Sequence, residues 1–204
     1  MPVAAITALQ GLRDQGQIRS GQAVLIDGAS GGVGTFAVQI AKSFGAKVTA
    51  VCGPRNVDRV RLIGADRVID YTREDFTRSG LHYDLILGAN AHHSIFDYRR
   101  ALNPDGIFVM VGGSTARILH ALLLGPFLSQ IGSRKIRFFI TKMNARDLCF
   151  LKDLLEAGQI VSIIDRQYGL GEVAEALCYR EEGHAQGKVV ITIHHDNVDG
   201  DISR

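Results

Sequence analysis

Short apolar runs alternate with amphipathic stretches along most of this chain, and no other feature limits its possible folds so strongly. "AVLI" (Ala23 to Ile26), "KVTAVC" (Lys47 to Cys52), "RVID" (Arg67 to Asp70), "DLIL" (Asp84 to Leu87) and "GIFVMVG" (Gly106 to Gly112) each have strand length. The first is apolar at every position, as expected of a parallel strand covered on both faces. Between the first two, Phe36, Val38, Ile40, Ala41 and Phe44 recur at helical spacing, and Gly45 ends that helix. Val57 to Ile63, stopped by Gly64, and Ser94 to Leu102 read as helices as well. Further on come "IRFFI" (Ile136 to Ile140), an amphipathic helix from Ala145 to Ala157, a helix near Glu172 to Tyr179, and a last strand, "KVVITI". This order predicts an α/β fold with a doubly wound parallel sheet. No repeat and no linker interrupts it, so residues 1–193 are expected to form one domain. Residues 194–204 lose all apolar periodicity and are expected to fray.

Composition narrows the classes. The 204 residues carry 46% hydrophobic and 22% charged side chains, the balance of a soluble globular domain. A net charge of +2 with interleaved signs gives no reason to expect nucleic acid or an anionic membrane as partner. Cys52, Cys149 and Cys178 are odd in number and far apart, which argues against a disulfide framework and a structural zinc site and fits a reducing cytoplasm. Met1 to Leu12 lacks the marks of a signal peptide. The most apolar stretch, Ile118 to Ile131, is too short to span a bilayer and is broken by Gly125-Pro126, so a buried or pocket-lining helix is expected there.

The first apolar strand runs into "DGASGGVG". A glycine-rich turn between a buried strand and a helix makes an anion site, since the backbone can approach closely and the free N–H groups of the helix N-terminus face the anion. Against the dinucleotide fingerprint G-x-G-x-x-G, the window Ala29 to Gly34 matches at its middle and last glycines, with Ala29 in place of the first. The G-x-x-x-x-G-K-[ST] pattern of a nucleotide hydrolase does not occur. NAD sites usually carry an acid about twenty residues on, at the end of the second strand. No carboxylate occurs between Asp27 and Asp58, and the strand runs out into "CGPRN", whose Arg55 can pair with a 2′-phosphate. The expected cofactor is therefore NADPH (NADP).

"GASGGVGTFAVQIAKSFGAKVTAV", "GADRVIDY" and the closing "GKVVITI" resemble the Rossmann cofactor domain of medium-chain dehydrogenases/reductases, in particular the quinone oxidoreductase-like branch often labelled zinc-type alcohol dehydrogenase. The resemblance covers Pro2 to about Ile193. It implies that Ser30, Gly31, Gly32, Val33 and Gly34 meet the pyrophosphate. Cys52 would stand beside the adenosine end, and Arg55, Asn56 and Tyr71 would meet its phosphate. Leu87, Gly88, Ala89, Val111, Gly112 and Gly113 would approach the nicotinamide ribose. At "LILGANAHHS" the chain departs from related sequences, with Gly88 and Asn90 where those carry an acid and an aliphatic residue.

Family members place a GroES-like catalytic domain ahead of this one, and "MPVAAITALQGL" resembles the helix that joins the two. The chain is accordingly expected to be a piece of an oxidoreductase that transfers hydride to a quinone, an activated alkene or an aldehyde, weakly active or inactive by itself. The alternative is a non-catalytic dinucleotide-binding or interaction module. The resemblance also implies a homodimer joined through Ile136 to Ile140, whose apolar edge would otherwise invite aggregation.

Other chemistries find no complete set. His92-His93 and His194-His195 are adjacent pairs whose side chains diverge, so no metal, zinc included, is expected. There is no G-x-S-x-G elbow for a hydrolase, and none of the five tyrosines has Lys four residues later, as a short-chain reductase would require. Nothing acidic follows the second strand to hold a methyl donor's ribose. No catalytic residue is assigned.

Overall fold

β1 (Ala23–Asp27) is an interior strand of a six-stranded sheet because both of its faces are apolar. Val24 and Ile26 pack into one core with Phe36, Ile40 and Leu85, while Leu25 joins Ile86, Tyr98 and Phe108 in the other. In this computed structural model, which describes residues 2–113, 132–182 and 187–193, β1 pairs in parallel with β2 (Lys47–Cys52) on one side and β4 (Tyr83–Gly88) on the other. β3 (Arg67–Asp70) lies outside β2, and β5 (Leu102–Met110) and β6 (Lys135–Phe138) lie beyond β4, giving the order β3-β2-β1-β4-β5-β6. All five pairings are parallel, so the fold is the doubly wound α/β sheet that the alternation predicts. The order reverses between β1 and β4, and ligands of such sheets bind outside the carboxyl ends of the strands at that point.

α1 (Pro2–Gln10) continues into a π-helical turn at Gly11–Gln15 and packs on α2 (Gly34–Ser43) over one face of the sheet. α3 (Val57–Leu62) and α4 (Ile95–Arg100) are single short helices. The Ser94 hydroxyl accepts the Asp97 amide and the Asp97 carboxylate accepts the Ser94 amide, which fixes the start of α4. α4 stops at Arg100 and not at Leu102. Leu102 already pairs with Tyr83, and the register shifts before Leu85 meets Ile107.

Packing divides the chain into two compact units, 1–162 and 163–204, where the sequence reads as one domain to residue 193. In the second unit, β7 (Ile164–Gly169) and β8 (Lys188–Thr192) form a parallel two-stranded sheet connected through α6 (Val173–Glu181), so "KVVITI" pairs with a strand that sequence patterning does not disclose. "IDRQYG" is too polar to read as a strand. Local polar contacts hold it: the Tyr179 hydroxyl donates to Asp165 Oδ2 at 2.8 Å, and the Arg166 guanidinium lies 3.9 Å from the Tyr179 ring centre. The expected apolar helix at 118–131 and the tail at 194–204 lie outside the described residues.

A buried carboxylate locks α1 to α5 (Ala145–Glu156) in the first unit. Asp147 is 2% exposed and accepts from Gln10 Nε2 and Arg13 Nη2 at 2.7 Å each and from Asn144 Nδ2 at 2.8 Å. Its own amide donates to the Asn144 side chain, which caps α5. Burial opposes its ionisation, but the donors from Gln10, Arg13 and Asn144 outweigh burial and hold the carboxyl below the usual range. Such a group stabilises the fold above its unfolded value, and the contribution is lost as pH falls through the depressed folded value. Asp147→Ala should therefore lower unfolding stability by about 2–3 kcal/mol at neutral pH. It should also flatten the acid limb of the stability curve below about pH 4. Denaturant melts of both proteins between neutral and acid pH check this, and an unchanged acid limb would remove Asp147 from that role.

Candidate functional site

β1 delivers the chain to the switch point at Asp27, and the glycines then turn it back. Gly28 has φ of 81°, a left-handed conformation that suits glycine, and a Cβ there would lie 2.7 Å from the Asn90 Cβ. Ala29 is buried and donates to the Val51 carbonyl at 2.9 Å, while Gly31 donates to Gly28 at 3.2 Å. A Cβ on Gly34 would stand 2.1 Å from the Gly28 carbonyl oxygen and 2.7 Å from the Ala29 Cα, so only glycine lets the first turn of α2 press against the loop. Ser30, Gly31, Gly32 and Val33 form the partly exposed crest, and the Gly32 and Val33 amides donate to no backbone acceptor among the described residues. These are free donors at the positive end of a ten-residue helix.

The loops after β4 and β5 complete a ledge beside this turn. Ala89 and Asn90 donate to the Asp27 carbonyl at 2.9 and 3.3 Å, Val111 and Gly112 to the Gly88 carbonyl at 2.9 and 3.1 Å, and Ala91 to the Gly112 carbonyl at 3.0 Å. Ala91 also bridges to Gly113, and a Cβ on Gly112 would come 2.5 Å from the Ala89 carbonyl oxygen. Leu87 belongs to the core, its side chain packed against the π-helical turn at Gly11, so it can offer this ledge only backbone.

At the end of β2, Pro54–Asn56 makes a 3₁₀ turn that holds Arg55 in solvent. The Asn56 Oδ1 is buried and has no hydrogen-bond partner. Tyr71, 64% exposed, lies across Gly53, where a Cβ would be 3.1 Å from its hydroxyl, and its amide donates to the Cys52 carbonyl. Cys52 itself points into the core. Burial, and then the charge of Asp70 on the neighbouring strand, push its thiol up to about 11, so it faces the site only through its backbone.

Three residues at the switch point escape sequence reasoning: Gly28, Asp27 and Tyr98. Gly28, the residue that makes the turn, lies one position before the fingerprint window, although the Asp27-Gly28 pair is a turn signal. Asp27 is buried under the turn and accepts a hydrogen bond from the Tyr98 hydroxyl of α4. Tyr98 stacks on Phe108, with ring centres 4.2 Å apart. A strand-end Asp and a helix Tyr 71 positions apart give no local sequence signal. The His92-His93 pair diverges: His92 is exposed, whereas His93 meets the edge of Phe76 at 4.9 Å and lies 3.9 Å from Asp75. Among the described residues no group of three His, Cys, Asp or Glu side chains could hold a metal, and no helix is long and apolar enough to cross a membrane.

Comparison with known proteins gives the same outline. The family described as zinc-binding dehydrogenase matches residues 63–191. A human mitochondrial NAD(P)H oxidoreductase is 31% identical, with the alignment covering 95% of this chain and 54% of that protein. A trans-enoyl reductase of Aspergillus terreus (strain NIH 2624 / FGSC A1156) is 30% identical over 92% of this chain and 56% of its own. The solved quinone oxidoreductase from Coxiella burnetii superposes with a TM-score of 0.81 at 27% identity, covering 95% of this chain and 59% of that one. The chain thus spans between 54% and 59% of the length of these relatives. With a family match over most of its length and the sheet order and glycine turn in place, the chain belongs to the zinc-binding dehydrogenase family of the medium-chain dehydrogenase/reductase superfamily.

Proposed function

We propose that this chain binds NADPH and presents it for hydride transfer to a quinone, an activated alkene or an aldehyde. The observation that carries the reading is the glycine turn at the switch point, where free amides of the α2 N-terminus stand over a loop too tight for any side chain at Gly34. The bound cofactor would supply the hydride from its nicotinamide ring; the protein supplies position and electrostatics. Ser30 to Gly34 hold the pyrophosphate through backbone N–H groups. Arg55, standing free beside the end of β2, takes the 2′-phosphate, and Tyr71 borders the same pocket across Gly53. The unpartnered Asn56 Oδ1 is an acceptor, which suits a ribose hydroxyl or the adenine amine better than a phosphate oxygen. Gly88, Ala89, Val111, Gly112 and Gly113 offer the nicotinamide ribose a ledge of backbone.

The same proposal includes a homodimer. β6 is an edge strand of the sheet, and Ile140 just beyond it is 88% exposed, so a second copy pairing along Ile136 to Ile140 would remove an open edge. Three unpaired cysteines suit a reducing compartment such as the cytoplasm.

Calorimetric titration separates these roles. Arg55→Ala should cost about 1.5–3 kcal/mol of NADPH affinity and leave NADH unchanged; equal losses for both would make Arg55 a structural residue. Gly34→Val should weaken both cofactors alike by at least about tenfold, because the turn cannot close on a pyrophosphate. Oxidation of NADPH with a quinone, followed in the near ultraviolet, tests the chemistry directly. Sedimentation at micromolar protein tests the dimer, and a monomer there would count against pairing through residues 136–140.

A further inference from the structure

Among the described residues Asp27 is the one buried carboxylate beside the glycine turn, and the proposed hydride transfer has no use for it. It is 5% exposed at the carboxyl end of β1, directly before Gly28. The Tyr98 hydroxyl donates to its side chain, and its main-chain carbonyl accepts the Ala89 and Asn90 amides. One residue therefore touches the pyrophosphate turn, the nicotinamide-side loop and α4. A dinucleotide would bring its negative pyrophosphate to the far side of Gly28. In the low-dielectric interior between them, that charge and an ionised Asp27 repel with little screening.

We propose that dinucleotide binding at this turn is linked to uptake of a proton at Asp27, so that Asp27 sets the pH range over which cofactor is held. The proposal rests on the dinucleotide reading above. Burial already pushes the Asp27 carboxyl up, against the Tyr98 hydrogen bond and the charges of His93 and His92, which favour the ionised form. Among the described residues the groups facing it are few. α4 contributes Tyr98, and the loop before α4 contributes His92 and His93, the latter 3.9 Å from Asp75. From β2, β4 and β5 this face presents Val51, Ile86, Phe108 and Met110, all apolar. Nothing on the neighbouring strands therefore offsets a second negative charge.

The sign follows from the repulsion. A bound pyrophosphate makes Asp27 hold its proton more firmly. Affinity is then greatest below the free protein's Asp27 titration, falls as pH rises through it, and levels off above the value in the complex.

The test is calorimetric titration of NADH and NADPH between about pH 5 and about pH 9 in pairs of buffers with different ionisation enthalpies. Wild type should take up protons on binding and lose affinity by about three- to tenfold across the window, tenfold corresponding to a one-unit shift at Asp27. Asp27→Asn should bind without that proton uptake and without that pH dependence. The difference from wild type also cancels the titration of the NADPH 2′-phosphate. Should the Asn variant fail to fold, Tyr98→Phe decides. It removes a donor to the carboxylate and should move the window to higher pH, which a merely structural role for the pair would not do. The double variant His92→Gln, His93→Gln should keep the linkage. Loss of the linkage in that variant assigns it to the histidines and overturns the proposal, as does pH-independent affinity in wild type. Failure of both cofactors to bind at any pH overturns the dinucleotide reading along with it.

Discussion

A Cβ at Gly34 would lie 2.1 Å from the Gly28 carbonyl, and the absence of that one atom governs the rest of the site. It lets α2 begin against the strand that feeds it, which leaves its first amides unspent at the crest of the turn. The same closeness brings the loop after β4 onto the Asp27 carbonyl and, through Gly88 and Ala91, the loop after β5 onto the loop after β4. Loops that follow three different strands become one surface, because each uses the backbone of the previous one as its support. Position along the sheet decides the rest: the turn and its ledge fall on either side of the place where the strand order reverses.

Two buried aspartates show how the fold treats a charge according to the number of donors around it. Asp147 receives Gln10, Arg13 and Asn144, one of them a cation, and its ionised form is favoured despite burial. Asp27 receives one hydroxyl, and burial prevails. The first ties helix to helix at a place with no proposed chemistry, so full ionisation there serves rigidity. The second lies under the glycine turn at the switch point. Burial opposes ionisation at both positions; at Asp147 the three donors reverse its effect, and at Asp27 the one hydroxyl does not.

The strands of the first unit were legible because their faces are covered on both sides. "KVTAVC" and "RVID" run as read, and β1 and β4 differ from their expected spans only at the ends. Helix ends were less so: α4 gives up Ala101 and Leu102 because Leu102 finds Tyr83 across the sheet, a contact that no local pattern contains. β7 was invisible for the opposite reason. Its sequence, Ile164 to Gly169, has no apolar face, and it is a strand by pairing with β8. The glycine crest could be read from the sequence since each of its residue types answers a local steric demand. Asp27 and Tyr98 could not, because their meeting depends on the parallel placement of β1 beside β4 and on the helix that follows β4.

The burial of Cys52 carries a chemical consequence. Peroxides and alkylating agents attack thiolates, and a thiol held protonated inside a core offers them neither charge nor access. Cys149 and Cys178 are exposed and would be consumed first. Oxidants would therefore mark α5 and α6 while β2 stays unmodified. A fluorophore or spin label attached through maleimide would report from those helices with the glycine turn left in its native state.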